Sequence, residues 1–162
     1  LADVLNNLRQ GVAIDCKQTQ AVAVAHLAYL VRGNSPAAAE ARAAAEANLD
    51  LLVQVLNGSD EVAQAAAAKV VRALAMHHAK VTQDARAMPG CLAALVSLLM
   101  YTSDSDVSET VGAALWSLAC ANDDNKDALS AVPGLLAALG DMHRAALTRQ
   151  PLHMHRLHCF LA

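Results

Sequence analysis

Val71-Arg72-Ala73-Leu74-Ala75 recurs 44 positions later as Leu115-Trp116-Ser117-Leu118-Ala119, and Met88-Pro89-Gly90 recurs at the same spacing as Val132-Pro133-Gly134. One step back, Leu27-Ala28-Tyr29-Leu30-Val31 falls in the same register. A fixed period of this length, made of helical patterns, marks an α-solenoid, because each unit leaves an apolar face that only a stacked neighbour can bury. Solenoids of this kind mostly bind other macromolecules and seldom carry out chemistry.

Composition agrees with that reading. The 162 residues contain one Phe, one Trp and two Tyr, so the core has to be aliphatic, and much of the 56% hydrophobic content is alanine. Alanine favours helix and lets helix backbones approach closely. Strands are not expected. A formal charge of -3 gives no global attraction to nucleic acid or to an anionic membrane. Charged or amide residues interrupt every apolar run before it reaches the roughly 20 residues a bilayer requires, so the chain reads as soluble. Cys16, Cys91, Cys120 and Cys159 form no Cys-x-x-Cys pair. That usage suits a reducing, cytoplasmic setting better than a disulfide framework or a zinc knuckle. Both ends lie within apolar patterns, as in a segment of a longer protein.

The best-preserved repeat follows Pro89-Gly90. Leu92, Leu95, Val96 and Leu99 stand at i, i+3, i+4, i+7 and predict a short buried helix. Thr102-Ser103-Asp104-Ser105-Asp106 supplies a turn and N-cap, and a longer helix follows over about 107–121 with Val111, Ala114, Leu115 and Leu118 inward. Asn122-Asp123-Asp124 caps a short helix over 125–131, which Pro133-Gly134 ends. The preceding repeat predicts helices over 49–56 and 61–77 around the turn Asn57-Gly58-Ser59-Asp60, with Ala47-Asn48 in place of Pro-Gly. The first keeps helices over 1–8 and about 16–32, separated by extra residues around Gly11 to Ile14, and then an Ala, Glu and Arg helix over 36–46. A last long helix is expected over 151–162.

The order of short helix, Pro-Gly, Leu-rich helix, Ser/Asp turn and a long helix ending Ala-Leu-Trp-Ser-Leu-Ala before Asn-Asp-Asp-Asn-Lys resembles the armadillo repeat family. The resemblance is most specific between Ala113 and Lys126 and weaker at both ends. It implies an all-α, right-handed α-α superhelix of about three and a half repeats, divided near 1–34 (partial), 35–78, 79–122 and 123–162, all in one segment. HEAT repeats, with two helices per unit, are the structural alternative; the Pro-Gly turn between two short helices favours armadillo.

In the family, third helices line a concave groove, and nuclear-import members carry there a Trp and, four residues on, an Asn that grips peptide backbone. Those positions here hold Ala25 and Tyr29, Lys69 and Ala73, Ala113 and Ser117, and Arg156 and Phe160. Neither residue type is present, which argues against that mode of cargo binding. With the adjacent turn added, the groove candidates are Tyr29, Arg32, Lys69, Arg72, Trp116, Ser117, Arg156 and Phe160. Arg and aromatic side chains are common interface anchors. The resemblance thus implies a protein partner offering an acidic, aliphatic-containing segment, in the manner of β-catenin-like members, besides further repeats of the parent chain. The bland reading stands beside it: Trp116 as ordinary core, and Lys69, Arg72 and Arg156 as solvated helix face. The alternative function is an architectural spacer in a large cytoskeletal or ciliary assembly.

Only His153-Met154-His155-Arg156-Leu157-His158-Cys159 invites a metal reading. His155, His158 and Cys159 share one helical face, but His153 points elsewhere and Arg156 opposes a cation, so a structural or surface role is favoured. His77-His78 ends a long helix, where imidazolium complements the dipole. There is no Gly-rich phosphate loop, nucleophile with a base or paired carboxylate signature. No enzymatic activity and no cofactor are expected.

Overall fold

The computed structural model describes residues 1–77, 90–120 and 122–149. These form helices α1 (Ala2–Ala13), α2 (Lys17–Leu30), α3 (Pro36–Glu46), α4 (Leu49–Leu56), α5 (Glu61–His77), α6 (Cys91–Tyr101), α7 (Ser105–Ala119), α8 (Asp123–Ser130) and α9 (Leu135–Arg149), with no strand among the described residues. Sequence signals fix several ends. Ser35 caps α3 by accepting from the Ala38 amide at 3.1 Å, with Pro36 at the first helical position, where a missing N–H costs nothing. Asp104 accepts from the amides of Asp106 and Val107 at 2.8 and 3.2 Å, which starts α7 two residues before the expected Val107. Asn122 caps α8 through the Asn125 amide at 3.0 Å.

The helices are arranged as two rows. Helices α1, α4, α6 and α9 touch in that order, and α2, α5 and α7, the longer partners of the first three, touch in that order. Rungs join the rows: α1 packs on α2, α4 on α5 and α6 on α7. The helices α3 and α8 bridge successive units, α3 between α2 and α5, α8 between α7 and α9. One apolar cluster runs through the stack from Val4 to Leu139. Its largest members are leucines such as Leu8, Leu27, Leu52, Leu74, Leu95 and Leu115, all fully buried. The middle long helix, α5, packs on long helices at both sides. It meets that demand with buried Ala63, Ala66, Ala67 and Ala68, small enough for close approach on every side.

Stacked helices bury their ends, and the last four carbonyls of any helix lack partners within it. Four buried polar side chains supply them. Gln20 Nε2 donates to Gly11 O of α1 at 3.0 Å, and Gln64 Nε2 donates to Leu56 O of α4 and to Gly58 O at 2.9 and 2.8 Å. Arg42 of α3 donates through Nη1 to Val31 O and Gly33 O behind α2 at 2.9 and 2.7 Å. Asn125 of α8 donates through Nδ2 to Leu118 O of α7 at 2.9 Å. The long helices α2 and α5 therefore lock the shorter helix before each, while Ser108, the equivalent residue of α7, donates instead to Asp104 O at 3.0 Å; each bridging helix locks the long helix before it.

Three local departures from the sequence reading have physical causes. Helix α1 continues to Ala13 instead of stopping at Leu8, because Gly11 stays helical and lies against α2: a Cβ there would stand 2.9 Å from the Gln20 backbone nitrogen. The turn falls later, at Asp15, which adopts φ +48°, a left-handed conformation that Asp tolerates better than most residues. Helix α9 runs on to Arg149, past the point where the repeat pattern fades. The turns before α6 and α9 repeat in backbone as well as sequence, Gly90 and Gly134 having φ of +94° and +80°. At Asn48, the substitute for Pro-Gly, φ is −129° and the side chain takes over: Nδ2 donates to Ala44 O at 2.7 Å, and Oδ1 accepts from Arg9 at 2.6 Å. The expected helix over 151–162 lies outside the described residues.

Candidate functional site

Successive long helices follow the 44-residue register, so equivalent positions can be compared directly. The open stripe of α5 consists of Val62, Ala65, Lys69, Arg72 and Met76. On α2 the same positions are Gln18, Ala21, Ala25, Ala28 and Arg32; on α7 and just past its end they are Asp106, Glu109, Ala113, Trp116 and Cys120. Apart from buried Ala28, every one is exposed or half-buried. The three stripes stand side by side because α2 packs on α5 and α5 on α7.

Four of the sequence-derived candidates meet on this face. Lys69 and Arg32 are exposed, while Arg72 and Trp116 are half-buried and occupy one register position on neighbouring helices. A half-buried guanidinium and a half-buried indole thus lie in adjacent rows. The register position of Tyr29 differs. Its counterparts are Ala73, half-buried, and Ser117, buried, so Tyr29 sits at the free edge of α2 beside the stripe, 71% exposed. Ser117 is turned inward and donates its hydroxyl to Ala113 O at 2.8 Å within its own helix. Arg156 and Phe160 lie outside the described residues.

Two exposed apolar residues belong to the face and were not among the candidates: Val62 and Met76, 69% and 56% exposed. Their signal was present in the register, since Met76 is the counterpart of Arg32 and Cys120. The charges are polarised along the long helices. Asp60, Glu61, Asp104, Asp106 and Glu109 gather at the N-terminal ends of α5 and α7, whereas Lys69, Arg72 and His77 occupy the C-terminal half of α5. Both signs of side-chain charge sit at the end the helix dipole favours for them, and an anionic ligand meets cations and fewest carboxylates over the basic half.

Reactive chemistry is sparse among the described residues. Cys91 is buried, and desolvation pushes its thiol up to about 12. Cys16 is held below the usual thiol range, chiefly by the Thr19 hydroxyl that donates to its sulfur at 3.1 Å. Among the described residues no group of three or more His, Cys, Asp or Glu side chains is placed to hold a metal ion. The His153 to Cys159 run lies outside them. No described helix is long and apolar enough to cross a membrane.

No family model, no curated protein and no solved structure matches this chain.

Proposed function

We propose that the chain is an armadillo-type segment, stacked as a right-handed superhelix, which acts as a non-enzymatic scaffold and receives a partner protein's segment on the open face of its long helices. The observation that carries this reading is the alignment of Lys69, Arg72, Met76 and Trp116 on the exposed stripes of two adjacent helices. Cations, an accessible indole and a thioether together suit a segment with carboxylates and aliphatic side chains. The short-helix turns at Gly90 and Gly134 and the bridging helices α3 and α8 favour armadillo over a two-helix repeat. A cytoplasmic or cytoskeleton-associated setting belongs to the same proposal.

Trp116 is the one tryptophan in the chain, which makes the test direct. Titration with a synthetic peptide of alternating Glu and Leu should change its emission saturably, and the change should vanish in Lys69→Glu/Arg72→Glu. Emission that ignores the peptide, or responds equally in both proteins, would refute the groove.

The exposed alanines Ala37, Ala39, Ala43 and Ala47 on and beside α3 support the second reading, a spacer in a larger assembly. They offer a smooth face with little to recognise. A spacer makes contacts on several faces, so charge reversal on α5 alone would leave its associations intact.

A further inference from the structure

Asn57-Gly58 is the single Asn-Gly step in the chain, and it lies in the turn between α4 and α5. Asn and Gly are common turn residues. An Asn-Gly step is also the Asn step most open to attack on itself, because glycine has no Cβ to keep its nitrogen away from the preceding side-chain amide. Both residues are exposed, so water reaches them. Three hydrogen bonds hold the step in an unreactive shape: Asn57 Nδ2 donates to Val53 O at 3.0 Å, the Gly58 amide donates to Val55 O at 3.0 Å, and Gly58 O accepts from Gln64 Nε2 at 2.8 Å. Ring closure needs the Gly58 nitrogen on the side of Asn57 Cβ about the Cα–C bond. A ψ of −2° at Asn57 eclipses it with the Asn57 nitrogen instead.

We propose that Asn57-Gly58 is a latent self-modification site whose gate is the Gln64 lock. When the turn opens, the Gly58 nitrogen attacks Asn57 Cγ. An N–Cγ bond forms, the Cγ–Nδ2 bond breaks, and Nδ2 leaves as ammonia with the proton that the Gly58 nitrogen gives up. Water then opens the five-membered imide at either carbonyl. Attack at Cγ leaves Asp; attack at the Asn57 backbone carbonyl leaves isoaspartate, with the main chain rerouted through Cβ and Cγ. Neither product restores the turn. A carboxylate has no proton to give Val53 O, and its charge falls at the C-terminal end of α4, where the helix dipole disfavours it. The isoaspartyl main chain is one atom longer, which moves Gly58 O off Gln64. The junction so changed begins α5, the helix that carries Lys69 and Arg72. The site thus keeps a covalent record of how long this junction has stood open. No residue of the open face takes part in the chemistry, so the proposal stands or falls separately from the partner-binding reading.

Incubation of the 162-residue chain at neutral pH and body temperature, followed by peptide mass mapping, tests it. Fragment ions locate the converted residue, and chromatography separates Asp from isoaspartate. The folded wild type should keep Asn57, while the same chain in guanidinium chloride converts it to both products. Folded Gln64→Ala should convert about tenfold faster than folded wild type, the scale on which losing a hydrogen bond raises the open population. Gln20→Ala removes the equivalent lock one unit earlier and should leave Asn57 at the wild-type rate, which separates opening of this turn from a general loss of stability. Circular dichroism checks that the variants keep their helices; Gln64→Met, which retains the length of the side chain without its donor, replaces Gln64→Ala if that variant does not. The proposal is overturned by a folded wild type that converts as fast as the denatured chain, by a helical Gln64 variant that converts no faster than wild type, or by equal acceleration in Gln20→Ala.

Discussion

Gln20 and Gln64, which stand 44 residues apart, make the same contact in successive units. Each side-chain amide is buried one turn into a long helix and donates to a carbonyl that ends the shorter helix before it, Gly11 O at 3.0 Å for Gln20 and Leu56 O at 2.9 Å for Gln64. Gln64 also reaches Gly58 O at 2.8 Å. A periodic sequence has thus produced a periodic polar lock. It answers the requirement that a buried helix end find hydrogen-bond partners.

Removing a lock takes a donor from a buried carbonyl, although Gly11 O keeps the Cys16 amide at 2.8 Å. Gln64→Ala and Gln20→Ala should each destabilise the stack by about 1–3 kcal/mol, Gln64→Ala more than Gln20→Ala because two carbonyls lose their donor. Urea unfolding followed by circular dichroism measures both. Equal stability to wild type would mean that water replaces the amide freely.

Gly11 is a contact, and its conformational freedom plays no part, since it sits inside α1 with Gln20 and Thr19 against the place a Cβ would occupy. Gly11→Ala should cost about 1–3 kcal/mol as α1 is pushed off α2, despite alanine's better helix propensity. The same unfolding assay decides the sign: stabilisation would show that the two helices can part without loss.

Arg42 is a buried cation whose Nη1 closes the end of α2, while its Nε has no hydrogen-bond partner. Arg42→Ala should lower stability by about 2–3 kcal/mol through the loss of charge-assisted bonds to Val31 O and Gly33 O. Hydrogen exchange should show the loosening first at the C-terminal turn of α2. Protection unchanged there would contradict the assignment.

The cysteines should separate by reactivity. Cys91, buried and raised to about 12, should resist iodoacetamide until the fold opens. Cys16, lowered by Thr19, should form thiolate at a lower pH than an ordinary thiol, so its labelling should set in earlier on a rising pH series. Thr19→Val removes the donor and should move that onset upward. Peptide mass mapping reads each site separately.

The sequence conveyed the helices better than their orientation. Helices α3, α4 and α5 begin and end where Ser35-Pro36, Asn48 and Asn57-Gly58-Ser59-Asp60 place them, because caps and turns are local chemistry. In sequence Gly11 reads as part of a break, although the reason for it lies across space in Gln20. The locks at Gln20, Arg42, Gln64 and Asn125 carry no sequence signal because polar residues in a helix normally face solvent, and only the packing of a neighbour's end makes their burial favourable. At the candidate face, spacing placed Lys69, Arg72 and Trp116 on the exposed side, but a single position of helical phase separates Trp116 from Ser117, and that phase turns the serine inward. Tyr29 shares the serine's phase and is nonetheless 71% exposed.

The central claim is that the open face of α5 and α7 receives a partner through Lys69, Arg72 and Trp116. The most direct measurement is a quantitative pull-down of the full-length protein, wild type beside Lys69→Glu/Arg72→Glu, read by mass spectrometry with helicity checked in parallel. A set of proteins held by the wild type and lost from the equally helical reversal variant is the predicted result. The same set held by both would contradict the account.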